Sequence, residues 1–166
     1  MDKITIRKQR VSDARRFFEI LSAPGLKDFG VRPKSVEDEI AWLEKAAERS
    51  EKGYAYDYTI LLDGKNVGGI GINIDQHRNY IAEIGYFVDE NYWGKGIATQ
   101  AVKLLEKLGF EEFGLQRIEI RMNPKNIASE KVAIRSGYKK EGLLLRSHKG
   151  SDGKCRDSFL YAKINY

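Results

Sequence analysis

Two glycines, Gly94 and Gly96, flank Lys95 in the stretch NYWGKGIATQ, where a helix with one apolar face begins. Glycine gives up the most backbone entropy on folding, so a pair in the first turn weakens the helix that it opens. What the pair supplies is bare backbone. The first N–H groups of a helix have no partner within it, and the macrodipole gathers partial positive charge at that end. Without side chains at Gly94 and Gly96, a bulky anion such as a pyrophosphate can approach those amides closely. The stretch is not a P-loop, whose GxxxxGK[ST] pattern Ala98 and Thr99 do not fit. Nor is it a dinucleotide fingerprint, because GKGIAT lacks the third glycine. A second glycine-rich run, GGIGIN at 68–73, falls inside a strand hairpin and indicates close packing rather than a ligand loop.

The chain that positions this turn has 166 residues, 42% of them hydrophobic and 32% charged. That is a globular composition with the length of one domain able to bury a core, so residues 1–166 are expected to form a single domain. The single cysteine, Cys155, excludes an intrachain disulfide and a cysteine-based metal cluster. His77 and His148 lie far apart, so no metal is expected. No stretch is long and apolar enough to span a bilayer, and MDKITIRKQR lacks the apolar core of a secretory signal. A cytoplasmic protein with no membrane partner is expected. The net charge of +5 favours anionic company, but the basic residues are interspersed with 24 acids. No basic stripe interleaved with aromatics is present, which favours a small phosphorylated ligand over nucleic acid.

Hydrophobic periodicity orders the elements. Ile4 and Ile6 alternate with polar neighbours as in a strand, and Ser12 is placed to cap a helix through Phe17, Phe18 and Leu21, stopped by Pro24 and Gly25. Ser35, with Asp38 three residues on, opens a second helix through Ile40, Trp42 and Leu43. Strands over 58–62 and 67–74 flank the turn Asp63-Gly64, and 81–88 is a third strand. The helix after the glycines carries Ile97, Ala98, Ala101, Leu104, Leu105 and Leu108 on one face. RIEIRM at 117–122 is a strand, a short helix runs from 126 to 136 with Gly137 as its C-cap, and strands at 138–145 and 158–164 surround a turn at 151–153. The order βααβββαβαββ predicts a mixed α/β fold with a largely antiparallel sheet flanked by helices.

Asn91-Tyr92-Trp93-Gly94-Lys95-Gly96 resembles the acetyl-CoA pyrophosphate loop of the GNAT superfamily of N-acyltransferases, Q/R-x-x-G-x-G/A, with Asn91 departing from its first residue. The longer run IGYFVDENYWGKGIATQAV is similar to the RimJ/RimL branch. So are Asn126-Ile127-Ala128-Ser129 followed by Ser136-Gly137-Tyr138, and the closing DGKCRDSFLYA. The resemblance is strong from about Ile81 onward and weak before.

It implies transfer of an acyl group from the CoA thioester to an amine by direct attack. Acetyl-CoA is the implied co-substrate. Amides from Tyr92 through Gly94, Lys95, Gly96, Ile97 and Ala98 to Thr99 would hold the pyrophosphate. The pantetheine arm would pair with backbone at Phe87 and Val88, where one free N–H polarises the thioester carbonyl. Many relatives protonate the departing thiolate with a tyrosine; here that position is Ala133, and the branch implies Ser129 as the donor. Asn126 is both a good N-cap and, by resemblance, a contact of the pantetheine arm. Lys131, with Arg135 a turn on, is placed for the ribose phosphate. Glu83, a lone acid in an apolar run, is either the proton acceptor, with burial raising its pKa, or a cross-strand partner of a basic residue.

The implied acceptor is a primary amine: a protein N-terminus, of ribosomal-protein type, or a small molecule such as spermidine, an amino acid or an antibiotic. A non-catalytic acyl-CoA sensor is the alternative of a different class. Specificity is expected from the two early helices, the loop near 76–79 and the last hairpin, and a homodimer through the final strands is compatible with the pattern.

Overall fold

The computed structural model describes residues 2–27, 29–30 and 32–166. Strand β1 (Ile4–Lys8) leads to helices α1 (Ala14–Leu21) and α2 (Val36–Glu51). A three-stranded meander follows: β2 (Ala55–Leu62), β3 (Lys65–Ile74) and β4 (Ile81–Val88). Then come α3 (Ile97–Glu111), β5 (Arg117–Met122), α4 (Ile127–Arg135), β6 (Lys139–Lys149) and β7 (Cys155–Ile164). The strands make one seven-stranded sheet in the order β1-β2-β3-β4-β5-β7-β6, antiparallel except where β4 meets β5. This is the α/β fold that the periodicity predicts. No helix among the described residues is long and apolar enough to cross a membrane.

The two faces of the sheet follow from the period of two along each strand. Even-numbered residues of β2 to β5, among them Ile60, Ile70, Ile72, Ile84, Ile118 and Ile120, are buried against Ala101, Val102 and Leu105 of α3. Odd-numbered positions face α1 and α2, where Ala14, Phe17 and Leu43 pack with Phe87. The expected stripe on α3 is corrected at one place. Leu104 is 38% exposed while Val102 is fully buried, because Leu104 lies about 100° round the helix from Leu105, away from the sheet. β2 begins earlier than expected, and β6 and β7 extend to Lys149 and from Cys155 as a long hairpin arm.

Glycines 68, 69 and 71 are packing glycines. A Cβ would meet Phe87 O at 2.2 Å, the Phe87 ring at 2.7 Å and Asp57 Oδ1 at 2.3 Å respectively.

Ser12 does not cap α1. It lies in a 3-10 turn, Val11–Asp13, and Asp13 does the organising instead. Its carboxylate accepts the Arg10 N–H at 2.9 Å, both Arg7 terminal nitrogens at 2.8 and 2.7 Å, and the Thr59 hydroxyl at 2.8 Å. Burial alone would raise this carboxyl, but the donors and the Arg7 charge outweigh it and hold it below the ordinary aspartate value of 3.8. Asp13→Asn is expected to lower stability by about 2 kcal/mol at neutral pH, read by urea unfolding. Because the folded-state value is depressed, this stabilisation is present above the unfolded value and lost as pH falls through the folded one. The difference between parent and variant should therefore close on acidification below the ordinary aspartate range.

Candidate active site

β4 pairs with β3 along its length, from Ile74↔Ala82 to Gly68↔Val88, but with β5 only from Ile81↔Arg117 to Glu83↔Glu119. Beyond Glu83 the sheet opens into a gap. Asp89 N–H donates to Val67 O on the β3 side at 2.8 Å. Successive N–H groups of a strand alternate sides, so those of Tyr86 and Val88 face the gap, while Phe87 is committed to Gly69 of β3. This corrects the expectation for Phe87, whose ring is also engaged, 5.3 Å from Phe17 and 5.4 Å from Phe29 between centroids. The Val88 carbonyl accepts the indole N–H of Trp93 at 2.8 Å. An edge with unspent backbone groups is a template for an added extended chain.

The strand runs directly into the glycine turn. Buried Asp89 accepts the backbone N–H and side-chain amide of Asn91, each at 3.0 Å, and the Arg16 guanidinium of α1. Burial would raise its carboxyl; those donors and the Arg16 charge hold it below its ordinary value. Glu90 accepts the Gly25 N–H at 2.8 Å, tying the turn to the segment after α1. Gly94 and Gly96 have φ of 76° and 73°, with nothing within 4 Å of where a Cβ would stand. The left-handed backbone selects glycine here, and the space above it stays open. Among the described residues no group accepts a hydrogen bond from the N–H of Gly94, Lys95, Gly96, Ile97, Ala98 or Thr99; Gln100 is the first engaged, on Gly96 O at 3.1 Å. Tyr92 is a correction: its N–H is spent on Asp89 O at 2.9 Å, and its ring lies 5.2 Å from Lys95 Nζ.

Ser129 stands across the gap on α4. Asn126 Oδ1 accepts the Ser129 N–H at 3.1 Å, so Asn126 caps the helix as its type predicts. Ser129 Oγ lies 2.8 Å from the Tyr86 hydroxyl. Burial pushes the Tyr86 phenol up to about 12, against the pull of that hydrogen bond. Tyr86 was not legible as a site residue; its signal was a hydroxyl at an even position among the core residues Ala82, Ile84 and Val88. Ala133 is fully buried. Lys131 is exposed and lies two residues, about 200°, round α4 from Ser129.

Glu83 has odd parity and so faces the other side of the sheet from Tyr86 and Ser129. It lines a hollow of about 230 Å³ with Asn73, Asp75, Arg78, Glu119 and Arg121. Burial pushes its carboxyl up, opposed by Arg121, whose Nε is 3.7 Å from Glu83 Oε2. The side chain is still 46% exposed, so solvent reaches it. A hydroxyl pair thus flanks one face of the gap and a carboxylate the other.

The family described as acetyltransferase (GNAT) domain matches residues 3–139. An uncharacterized N-acetyltransferase, p20, of Bacillus licheniformis is 30% identical over 98% of this chain and 93% of its own length. The ribosomal-protein-serine acetyltransferase of Escherichia coli (strain K12) is 34% identical over 69% of this chain and 63% of its own. The structure of Mycobacterium smegmatis RimJ in complex with CoA-disulfide superposes with a TM-score of 0.88 at 28% identity, over 97% of this chain and 81% of that one. With the open β4 edge and the glycine turn in place, the chain belongs to the GNAT family of N-acetyltransferases, among relatives of the RimJ/RimL type.

Proposed function

We propose that this acetyltransferase moves an acetyl group from acetyl-CoA to a protein N-terminal α-amine by direct attack. The observation that carries the reading is continuity: the unpaired β4 edge past Glu83 leads straight into the unpartnered N–H groups of Gly94 to Thr99. A long ligand with an amide-bearing arm and a diphosphate matches an extended-chain edge followed by a helix N-terminus. Kinship with a ribosomal-protein-serine acetyltransferase and with RimJ supports a protein amine as acceptor. Bound there, acetyl-CoA supplies the acetyl group as an activated thioester.

The N–H groups of residues 94–99 hold the diphosphate, and Lys131 reaches toward the ribose phosphate. Val88 N–H donates to the thioester carbonyl oxygen, where negative charge develops. Asn126 fixes the start of α4 and borders the pantetheine arm. Ser129 donates to the sulfur as it takes up charge, and Tyr86, protonated at working pH, donates to Ser129 Oγ so that the serine proton is free to point at sulfur. On the opposite face Glu83 accepts the proton of the attacking amine through a water. Donor and acceptor of protons are thereby kept on opposite sides of the sheet.

Thiol release from acetyl-CoA across an acceptor panel tests the assignment. Short peptides with free Ser, Ala or Met N-termini are expected to be acetylated in preference to spermidine, free amino acids or an aminoglycoside. Release with a small amine alone would move the substrate and keep the chemistry. Tight acetyl-CoA binding without any transfer would favour a sensor.

A further inference from the structure

On the sheet face that carries Glu83, one cross-strand row runs Asp57, Gly71, Gly85, with Asp57 paired to Gly71 and Gly71 to Gly85. Gly85 lies on β4 two residues past its last pairing with β5, at the gap itself. Asp57 reaches along this row. Its Oδ1 would be 2.3 Å from a Cβ on Gly71, so only a glycine there lets the carboxylate lie across β3. At Gly85 nothing stands within 4 Å of a Cβ position, and its φ is not left-handed. The carboxylate therefore looks onto open floor one strand spacing away, about 4.8 Å, beside the edge where the thioester is placed.

The surroundings leave Asp57 short of donors. Its side chain is 12% exposed, and Oδ2 is ion-paired with Arg49 Nη2 at 3.6 Å, longer than a direct hydrogen bond. Oδ2, sealed from solvent beside Arg49, has no hydrogen-bond partner among the described residues, and Oδ1 is the oxygen that lies over Gly71. Burial pushes this carboxyl up, and only Arg49 pulls it down. A buried carboxylate ordinarily collects hydrogen bonds. With Arg49 held at ion-pair distance on Oδ2 alone, Oδ1 over Gly71 is left to accept from a second cation that brings several N–H donors.

We infer that Asp57 is the acceptor-binding carboxylate: it pairs with the incoming primary ammonium over Gly85 and so selects an unsubstituted amine on a slender chain. This rests on the transferase reading above and adds the group that recognises the amine. Asp57 acts in binding, whereas Glu83 takes the proton, so the two carboxylates separate kinetically.

The test uses the full chain, acetyl-CoA and three probe amines: a short peptide with a free N-terminal serine, its N-methylated form, and spermidine. The parent should turn over the free peptide and discriminate against the N-methylated one. Asp57→Asn is expected to raise KM for the free peptide about tenfold or more with kcat nearly unchanged and acetyl-CoA affinity intact. Gly85→Ala, whose methyl meets nothing in the fold, should raise KM in the same way by filling the floor. Glu83→Gln should instead lower kcat. A parental KM in Asp57→Asn would overturn the inference. So would a fall in its acetyl-CoA affinity in step with activity, which would make Asp57 a structural partner of Arg49. A parent that binds acetyl-CoA but acetylates none of the amines would also overturn it. Failure of the parent to bind acetyl-CoA at all is a separate result, and it would remove the transferase reading itself.

Discussion

Gly96→Val is expected to weaken acetyl-CoA binding by roughly a hundredfold or more while the protein still folds. The cause is twofold. At φ 73° a β-branched side chain is forced into the left-handed region, which costs about 1–3 kcal/mol or moves the backbone. Any backbone shift turns the N–H groups of Gly94 to Thr99 away from their common focus. If the backbone holds, the valine occupies the open space over the helix terminus, where the proposed function places the diphosphate. A control separates strain from occlusion. Gly64, in the β2–β3 turn, has φ 82° and equally open space, so Gly64→Val carries comparable strain away from the site. Isothermal titration with acetyl-CoA alongside urea unfolding should show similar stability losses in both variants and lost binding only in Gly96→Val. Normal binding by Gly96→Val would remove the glycine turn from the cofactor site.

Ser129→Ala should lower kcat about a hundredfold with acetyl-CoA affinity nearly unchanged. The hydroxyl contributes only once charge builds on sulfur, so its loss falls on turnover rather than binding. Tyr86→Phe should cost less, about tenfold, because Ser129 keeps its own proton and loses only the partner at 2.8 Å that orients it. In the double variant the two effects should not add, since removing the serine leaves the tyrosine nothing to orient. With the Tyr86 phenol raised to about 12, neither hydroxyl titrates at working pH. Parent and Ser129→Ala should therefore share the shape of their pH profiles. Unchanged kcat in Ser129→Ala would exclude the serine as donor to sulfur, and strict additivity would exclude the relay from Tyr86.

What could be read along the chain was what depends on near neighbours. The bare backbone of Gly94 and Gly96, the Asn126 cap, the 3.6-residue stripe of α3 and the alternation of β4 and β5 each involve residues within a few positions of one another. Ser129 was reachable only because its motif is carried by a familiar pattern, not because a serine in a first helical turn signals catalysis.

The rest was decided by register and packing between distant segments. Nothing local to Tyr86 shows that α4 will bring Ser129 within 2.8 Å of its hydroxyl, 43 residues on. Asp89 looks like a turn residue until Arg16 of α1 arrives, and Asp57 resembles any strand acid until β3 places Gly71 beneath it. The backbone groups of Tyr92 and Phe87 are claimed by Asp89 and Gly69, partners that periodicity does not reveal. The family, the α/β order and the left-handed glycine turn are legible along the chain, because helix propensity, strand alternation and glycine's freedom are short-range properties. Which N–H groups stay free, which hydroxyls meet and which carboxylates face the gap follow instead from where β4 and β5 part and from what packs against each face.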